Sequence, residues 1–357
     1  MKIIQLLTTI SYGDAVSNDV LALHESLRRN GHETAVYAEN IGKKLPEGVV
    51  KTVAEMPKLD AEDVIIYHLS TGTELNYKLP QYNGRKILIY HNITPYEFFG
   101  NYSSTSWKLC KEGREALYFL ADKVDYCIAD SEYNKQDLIA AGYQCKIDVL
   151  PILIPFVDYE KKPNEKIIRR YKNDGYVNIL FTGRIVPNKK QEDIISTFYM
   201  YQKYYNSKAR LFLVGSYNGM ELYYQRLKEY VKRLNLKNVY FTGHIKFDEI
   251  LAYYSVADLF LCMSEHEGFC VPVVEAMKFG VPIVAYDSSA VGDTLGGAGI
   301  LLADKNPLET AGMMCYVMEH PEMRNEIKKA QETRLQDFAH SKIENQFLEY
   351  LSEFLGK

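Results

Sequence analysis

Short runs rich in Val, Ile and Leu recur along the whole chain, each bounded by turn residues and followed by a helical or loop stretch. This rhythm constrains the fold more than any other feature. The opening run, 1–10, reads as a strand. Gln5, Thr8 and Thr9 break its apolar core and no small-residue cleavage site follows, which argues against a signal peptide. The turn Ser11-Tyr12-Gly13-Asp14 leads into an amphipathic helix predicted over 15–29 and closed by Asn30-Gly31. Further strands are expected at 34–38, 64–68, 86–91, 124–130 and 147–152, and then at 177–183, 210–215, 239–243, 257–263 and 282–286. Near-continuous apolar strands separated by helices belong to parallel sheets covered on both faces.

Between the two series lies a stretch with Pro151, Pro155, Pro163 and the charge run 160–162, a composition that suits a connection. A chain of 357 residues also exceeds the ~250–300 at which single cores stop growing. The predicted organisation is a first α/β domain at 1–155, a linker at 156–175, a second α/β domain at 176–335 and a helical end at 336–357. Both domains are expected to be doubly wound, Rossmann-like parallel sheets. The end carries an apolar stripe of Ile343, Phe347, Leu348, Leu351 and Phe354.

Charge and composition exclude several classes. With 42 basic against 46 acidic residues the net charge is −4, so the basic excess of a nucleic-acid binder is missing. No apolar run approaches the ~18–20 residues that cross a bilayer. Six cysteines are scattered without a C-x-x-C pair or zinc spacing, and read as small buried hydrophobes in a reducing cytoplasm. The segment from Trp107 to Arg114 spaces Lys108, Lys111 and Arg114 three apart. It is read either as a peripheral contact with the inner membrane surface or as a solvated helix face.

Open parallel sheets bind ligands at the carboxyl ends of their strands. In the second half three strands end in glycine, at Gly183, Gly215 and Gly243, where a missing side chain lets a ligand approach the backbone. None forms G-x-G-x-x-G or the Walker pattern, so dinucleotide oxidoreductases and P-loop NTPases lose their usual warrant. The most informative stretch runs from Ser264 to Met277. Pro272 fits the first turn of a helix that stops at Gly280. Glu267 then lies on the loop before that helix and Glu275 inside it. Free N–H groups between them offer donors to an anion, and two carboxylates beside them can accept from sugar or ribose hydroxyls. The spacing alone decides nothing, because 28 glutamates give five pairs eight apart; only this one has a strand, Gly-Phe loop, Pro and helix around it.

The run Glu267-Gly268-Phe269-Cys270-Val271-Pro272-Val273-Val274-Glu275-Ala276 resembles the Glu-(seven residues)-Glu signature of the group 1 retaining glycosyltransferases. Gly183-Arg184-Ile185-Val186-Pro187-Asn188-Lys189 is similar to their Gly-Arg-Leu-Val-x-x-Lys stretch, and Gly280 to Ala285 continues the likeness. In the first half it rests on the Gly13 loop, on Tyr90 to Thr94 and on Ile128 to Glu132.

The resemblance implies a GT-B fold, two Rossmann-like domains facing across a cleft, with the donor on the second and the acceptor on the first. It implies that Arg184 and Lys189 hold a donor diphosphate, Glu275 the ribose hydroxyls and Glu267 the transferred sugar. Gly268, Phe269, Cys270, Val274 and Gly13 would line the donor, and His91 would donate to the sugar rim, with His68 as second choice. The family often has glycine where Lys190 stands. The expected partners are a nucleotide-diphosphate sugar and a saccharide or lipid-linked glycan acceptor, in surface-polysaccharide or glycan biosynthesis, with mannose or glucose as the hexose. Transfer is expected to retain the anomeric configuration and to need no metal or other cofactor, since no Asp-x-Asp occurs and two cations are to hand. Alternatives on the same fold are a sugar-nucleotide epimerase and a catalytically silent sugar-nucleotide binding protein. The charge divides as net −6 over 1–160 (16 basic, 22 acidic) and +2 over 161–357 (26 and 24), which suits a diphosphate on the second half. Tyr96, Phe98, Phe99 and Tyr102 are read either as an acceptor platform or as core.

Overall fold

A computed structural model of the chain describes residues 1–11, 13–42, 45 and 48–356; Tyr12 of the first turn lies outside them. The chain divides into two compact units, one of residues 1–97, 105–156 and 338–357, the other of 98–104 and 157–337.

The first unit is built on seven parallel strands: β1 (Lys2–Ile10), β2 (Glu33–Ile41), β3 (Val50–Thr52), β4 (Val64–Leu69), β5 (Arg85–Tyr90), β6 (Tyr126–Ala129) and β7 (Lys146–Val149). Their order is β3-β2-β1-β4-β5-β6-β7, so the winding reverses between β1 and β4. All six residues of β4 are buried, as a strand covered on both faces requires. The first helix spans Ala15–Arg29: the Asp14 carboxylate accepts from the Ser17 N–H at 3.0 Å to start it, and Gly31 at φ +79° ends it. The three-residue edge strand β3 was not read from sequence, because an edge strand this short and exposed carries no apolar run.

The helix His340–Leu355 belongs to this unit. Ile343, Phe347 and Leu351 are buried, each stabilising by roughly 1.5–3 kcal/mol. Glu344 pairs with Arg29 at 2.7 Å, Gln346 donates to the Val149 carbonyl at 3.4 Å, and the Arg85 guanidinium lies over the Phe354 ring.

The second unit holds β8 (Val177–Thr182), β9 (Ala209–Val214), β10 (Val239–Gly243), β11 (Leu259–Cys262), β12 (Ile283–Tyr286) and β13 (Ile300–Leu302), in the order β10-β9-β8-β11-β12-β13, again all parallel. Counted within the unit this is 3-2-1-4-5-6, the doubly wound order, with its reversal between β8 and β11. The short edge strand β13 also escaped the sequence reading. Residues 157–175 cluster here: Asn164, which caps the helix Glu165–Tyr171, bonds Asp248 through its backbone at 2.9 Å and its side chain at 3.0 Å.

Candidate functional site

Each unit gathers polar groups toward the carboxyl ends of its strands: the first from within β1 and at the ends of β4, β5 and β6, the second after β8 and β11. In the first unit the sheet register dictates which groups meet. Gln5 pairs with Ile66, His68 with Ile89, and Ile89 with Ile128. Successive side chains alternate faces, so Gln5, His68, His91 and Asp130 all fall on one face, each a step further along. The helix Ala15–Arg29 covers that face and adds Asp19. A chain of contacts results. Gln5 Nε2 donates to the Val20 carbonyl at 2.9 Å, and Gln5 Oε1 lies 2.8 Å from His68 Nε2. His68 Nδ1 lies 2.8 Å from His91 Nε2, and His91 Nδ1 lies 2.9 Å from Asp130 Oδ2. Asp19 accepts from the Leu153 N–H at 2.8 Å, and burial raises its pKa to about 7 against the pull of the His91 charge.

His91 therefore has both ring nitrogens engaged and a side chain with 0% exposure. Gly13 stands apart from this chain, exposed in the turn after β1 with open space where a side chain would be. Gln5 was noted in the sequence only as an interruption of an apolar run; the signal was there, since an amide inside a buried strand must find partners.

In the second unit the three strand-end glycines lie side by side, because β10, β9 and β8 are neighbours. The Gly183 N–H donates to Val214 O at 2.9 Å, and Gly215 bridges Gly243. At φ +153°, a Cβ on Gly215 would overlap the Gly183 carbonyl oxygen, so only glycine fits. Beyond Gly183 the chain turns through Pro187–Lys189, and Lys189 Nζ reaches Glu267 Oε1 at 2.5 Å. Burial works against the lysine charge, but Glu267 outweighs it and holds the pKa above its ordinary value. Ser264 donates to the same Glu267 oxygen at 2.8 Å, and the Glu267 N–H donates to Ser289 Oγ at 2.8 Å. Lys190 takes a left-handed backbone at φ +49°, which accounts for a family preference for glycine at this position, and its ammonium pairs with Glu265 at 3.1 Å. Lys189, and not Lys190, is the lysine beside Glu267. Arg184 is exposed, and among the described residues no carboxylate pairs with its guanidinium.

The helix Val271–Lys278 begins with Pro272 in its first turn after a left-handed Cys270, φ +74°. Glu275 on this helix accepts from Tyr159 OH at 2.6 Å on Oε1 and from Tyr254 OH at 2.6 Å on Oε2. Burial raises its pKa, and the two tyrosine hydroxyls oppose the rise. Each carboxylate oxygen keeps a further lone pair for a ligand hydroxyl. Tyr159 and Tyr254 were missed in sequence because nothing local ties them to Glu275. Gly268 is half-buried in the loop, while Phe269 and Cys270 are 5% exposed. Val274, expected to line a donor, is fully buried with Val273, Ala276 and Met277; its side chain faces the core because that is the inner face of the helix.

For two segments with two readings each, the contacts match the solvated helix face and the packing role. Lys108 pairs with Glu112 at 3.6 Å and Lys111 with Glu115 at 4.0 Å, while Arg114 makes a two-pronged bond with Asp137. These side chains form a salt-bridged helix face and not a free basic patch. Phe99 is buried, and Tyr96 packs edge-on against Trp107, so these two aromatics serve packing. Among the described residues no helix is long and apolar enough to cross a membrane.

Residues 163–334 match the family model "Glycosyl transferases group 1". A GDP-mannose-dependent alpha-mannosyltransferase of Mycobacterium tuberculosis is 25% identical over 320 residues, covering 79% of this chain and 78% of its own length. The O-antigen chain mannosyltransferase B of Escherichia coli is 23% identical over 239 residues, and the chain spans 61% of it, less than two thirds. Among solved structures, Anabaena Alr3699/HepE in complex with UDP and glucose superposes with a TM-score of 0.78 at 20% identity, over 99% of this chain and 100% of that one. Sucrose-phosphate synthase from Thermosynechococcus elongatus gives 0.77 at 16%, over 100% of both chains. These two share the fold.

Proposed function

Because residues 163–334 match the group 1 glycosyltransferase model, we propose that the chain is a glycosyltransferase of this group that moves a hexose from a nucleotide-diphosphate sugar to a saccharide or lipid-linked glycan acceptor. The observation that carries this reading is the Lys189–Glu267 pair, set at the reversal of the second sheet with Glu275 on the adjoining helix. Lys189 and Arg184 bind the diphosphate, and the N-terminus of the helix Val271–Lys278 adds backbone donors. Glu275 takes the ribose hydroxyls and Glu267 the hydroxyls of the sugar. As the glycosidic bond breaks, the nucleoside diphosphate gains negative charge, and cations fixed beforehand stabilise it most in the transition state. His91 donates a hydrogen bond to the transferred sugar.

Transfer proceeds with retention, the leaving phosphate taking the acceptor's proton. It needs no metal, since Lys189 and Arg184 supply the positive charge and the sequence has no Asp-x-Asp. Mannose and glucose are the first hexoses to try: the two mannosyltransferase relatives support the one and the glucose-bound structural neighbour the other. The setting is glycan biosynthesis in the cytoplasm.

Donor turnover by wild type and Glu275→Ala, with and without EDTA, tests the reading. Wild type should turn over equally in EDTA with retention of the anomer, and Glu275→Ala should lose at least about 100-fold. Wild-type rates in Glu275→Ala, or complete loss in EDTA restored only by a divalent ion, would overturn the corresponding assignment.

A further inference from the structure

Hydrogen-bond logic fixes where the protons of the first unit's relay sit. Gln5 Nε2 donates to the Val20 carbonyl at 2.9 Å, and a carbonyl only accepts, so the amide oxygen is the atom that faces His68. That oxygen also only accepts, and His68 Nε2, 2.8 Å away, must carry a hydrogen. His68 is neutral: burial, and then the charge of His91, push its pKa well below the ordinary value. Its Nδ1 is then a lone pair. The 2.8 Å contact from this lone pair to His91 Nε2 puts a hydrogen on His91 Nε2. His91 Nδ1, 2.9 Å from Asp130, shares another with that carboxylate.

Three contacts thus use three hydrogens where two neutral imidazoles supply two, and the additional proton resides on the His91–Asp130 pair. Burial is the strongest influence against a charged His91, yet Asp130, Asp19 and Asp14 together outweigh it and raise its pKa. The same cluster has the donor set of a metal site, with Asp19, His68 and His91 offering ligand atoms within 4.8 Å of one another. The 2.8 Å between the two nitrogens, however, is shorter than the ~3.3 Å that zinc–nitrogen bonds of ~2.0–2.1 Å impose in a tetrahedral site. A proton fits between the rings where an ion does not.

We infer that Gln5 and His68 are positioning residues that lock a hydrogen onto His91 Nε2, so that this ring meets a ligand oxygen only as a donor. The inference rests on the proposed role of His91 in sugar transfer. For a sugar oxygen to reach Nε2, the buried His91 ring must part from His68; the oxygen then replaces the His68 lone pair as acceptor, and no proton changes owner. Were His68 free to carry its hydrogen on Nδ1, His91 Nε2 would be turned into an acceptor and the contact with an oxygen lone pair would become repulsive.

Two-bond proton–nitrogen correlation spectra of the histidine rings at neutral pH test the wiring. Wild type should show His68 as the neutral Nε2–H form and both His91 nitrogens bearing or sharing hydrogen. Gln5→Leu should release His68 to the other tautomer and lower kcat roughly 10- to 100-fold with donor KM nearly unchanged. Gln5→Glu, which keeps an acceptor for His68, should restore the tautomer and most of kcat while being no more stable than Gln5→Leu. A purely structural Gln5 would instead make kcat follow stability in the two variants, and that pattern would overturn the inference. So would an Nδ1–H form of His68 in wild type, or one equivalent of bound zinc lost in His68→Ala. The ring spectra of wild type stand whether or not sugar transfer is observed, so failure of the functional reading and failure of the wiring are read separately.

Discussion

The two polar sites lie toward the strand ends of their own sheets, the first around β4, β5 and β6 with Gln5 reaching in from within β1, the second around β8 and β11, yet they are built from opposite materials. The first is a buried, closed run of hydrogen bonds among Gln5, His68, His91 and Asp130, each side chain delivered by a different strand or the loop after it. The second rests on charge and backbone: Lys189 against Glu267, an exposed Arg184, a helix start and three adjacent glycines. Burial forces every polar group of the first to be satisfied by protein. The second keeps cations and N–H groups that an anionic ligand can take over. The difference teaches that one sheet architecture supports both a closed hydrogen-bonded network and an open set of charges and N–H groups; under the proposed function the first positions a single donor and the second receives a diphosphate.

The sharpest way to break this comparison is to disturb the backbone rim of the second site. Gly215→Ala should cost about 3–5 kcal/mol in urea unfolding, because its Cβ would overlap the Gly183 carbonyl. Gly219→Ala, at φ +78° with nothing within 4 Å, should cost about 1 kcal/mol. Equal losses would remove the close contact as the reason for glycine. A smaller effect is expected in the first unit, where Arg114→Ala leaves the part-buried Asp137 with Tyr90 alone and should cost about 2 kcal/mol. Lys108→Ala on the same helix, in a pair that is 70% and 40% exposed, should change stability by under about 0.5 kcal/mol.

A pH dependence also separates the two sites. Asp19 has its pKa raised by burial from 3.8 to about 7, so the folded state holds its proton more tightly than the unfolded chain. The stability linked to that proton is complete below about 3.8 and is lost progressively as pH rises to about 7. Asp19→Asn should flatten this slope in denaturant midpoints taken across that window; an unchanged slope would assign it to other groups.

Legibility in the sequence follows the same division. The second site is nearly contiguous, so the run from Glu267 to Glu275 and the stretch from Gly183 to Lys189 could be read together with their strand, turn and helix. The strand rhythm gave both sheets except the short edges at 50–52 and 300–302. The first site is assembled by register, and no spacing along the chain announces that Gln5 will meet His68 or that Asp19 will face His91. Tyr159 and Tyr254 were hidden for the same reason: they lie 116 and 21 positions from Glu275 and meet it only through packing.

The central claim, that Lys189 belongs to a diphosphate-holding site, is tested most directly by titration calorimetry of GDP-mannose and UDP-glucose into wild type and Lys189→Ala. One of the two donors should bind wild type and lose roughly 10- to 100-fold in affinity in Lys189→Ala, the worth of a charge-assisted bond. Undiminished binding by Lys189→Ala would contradict the account.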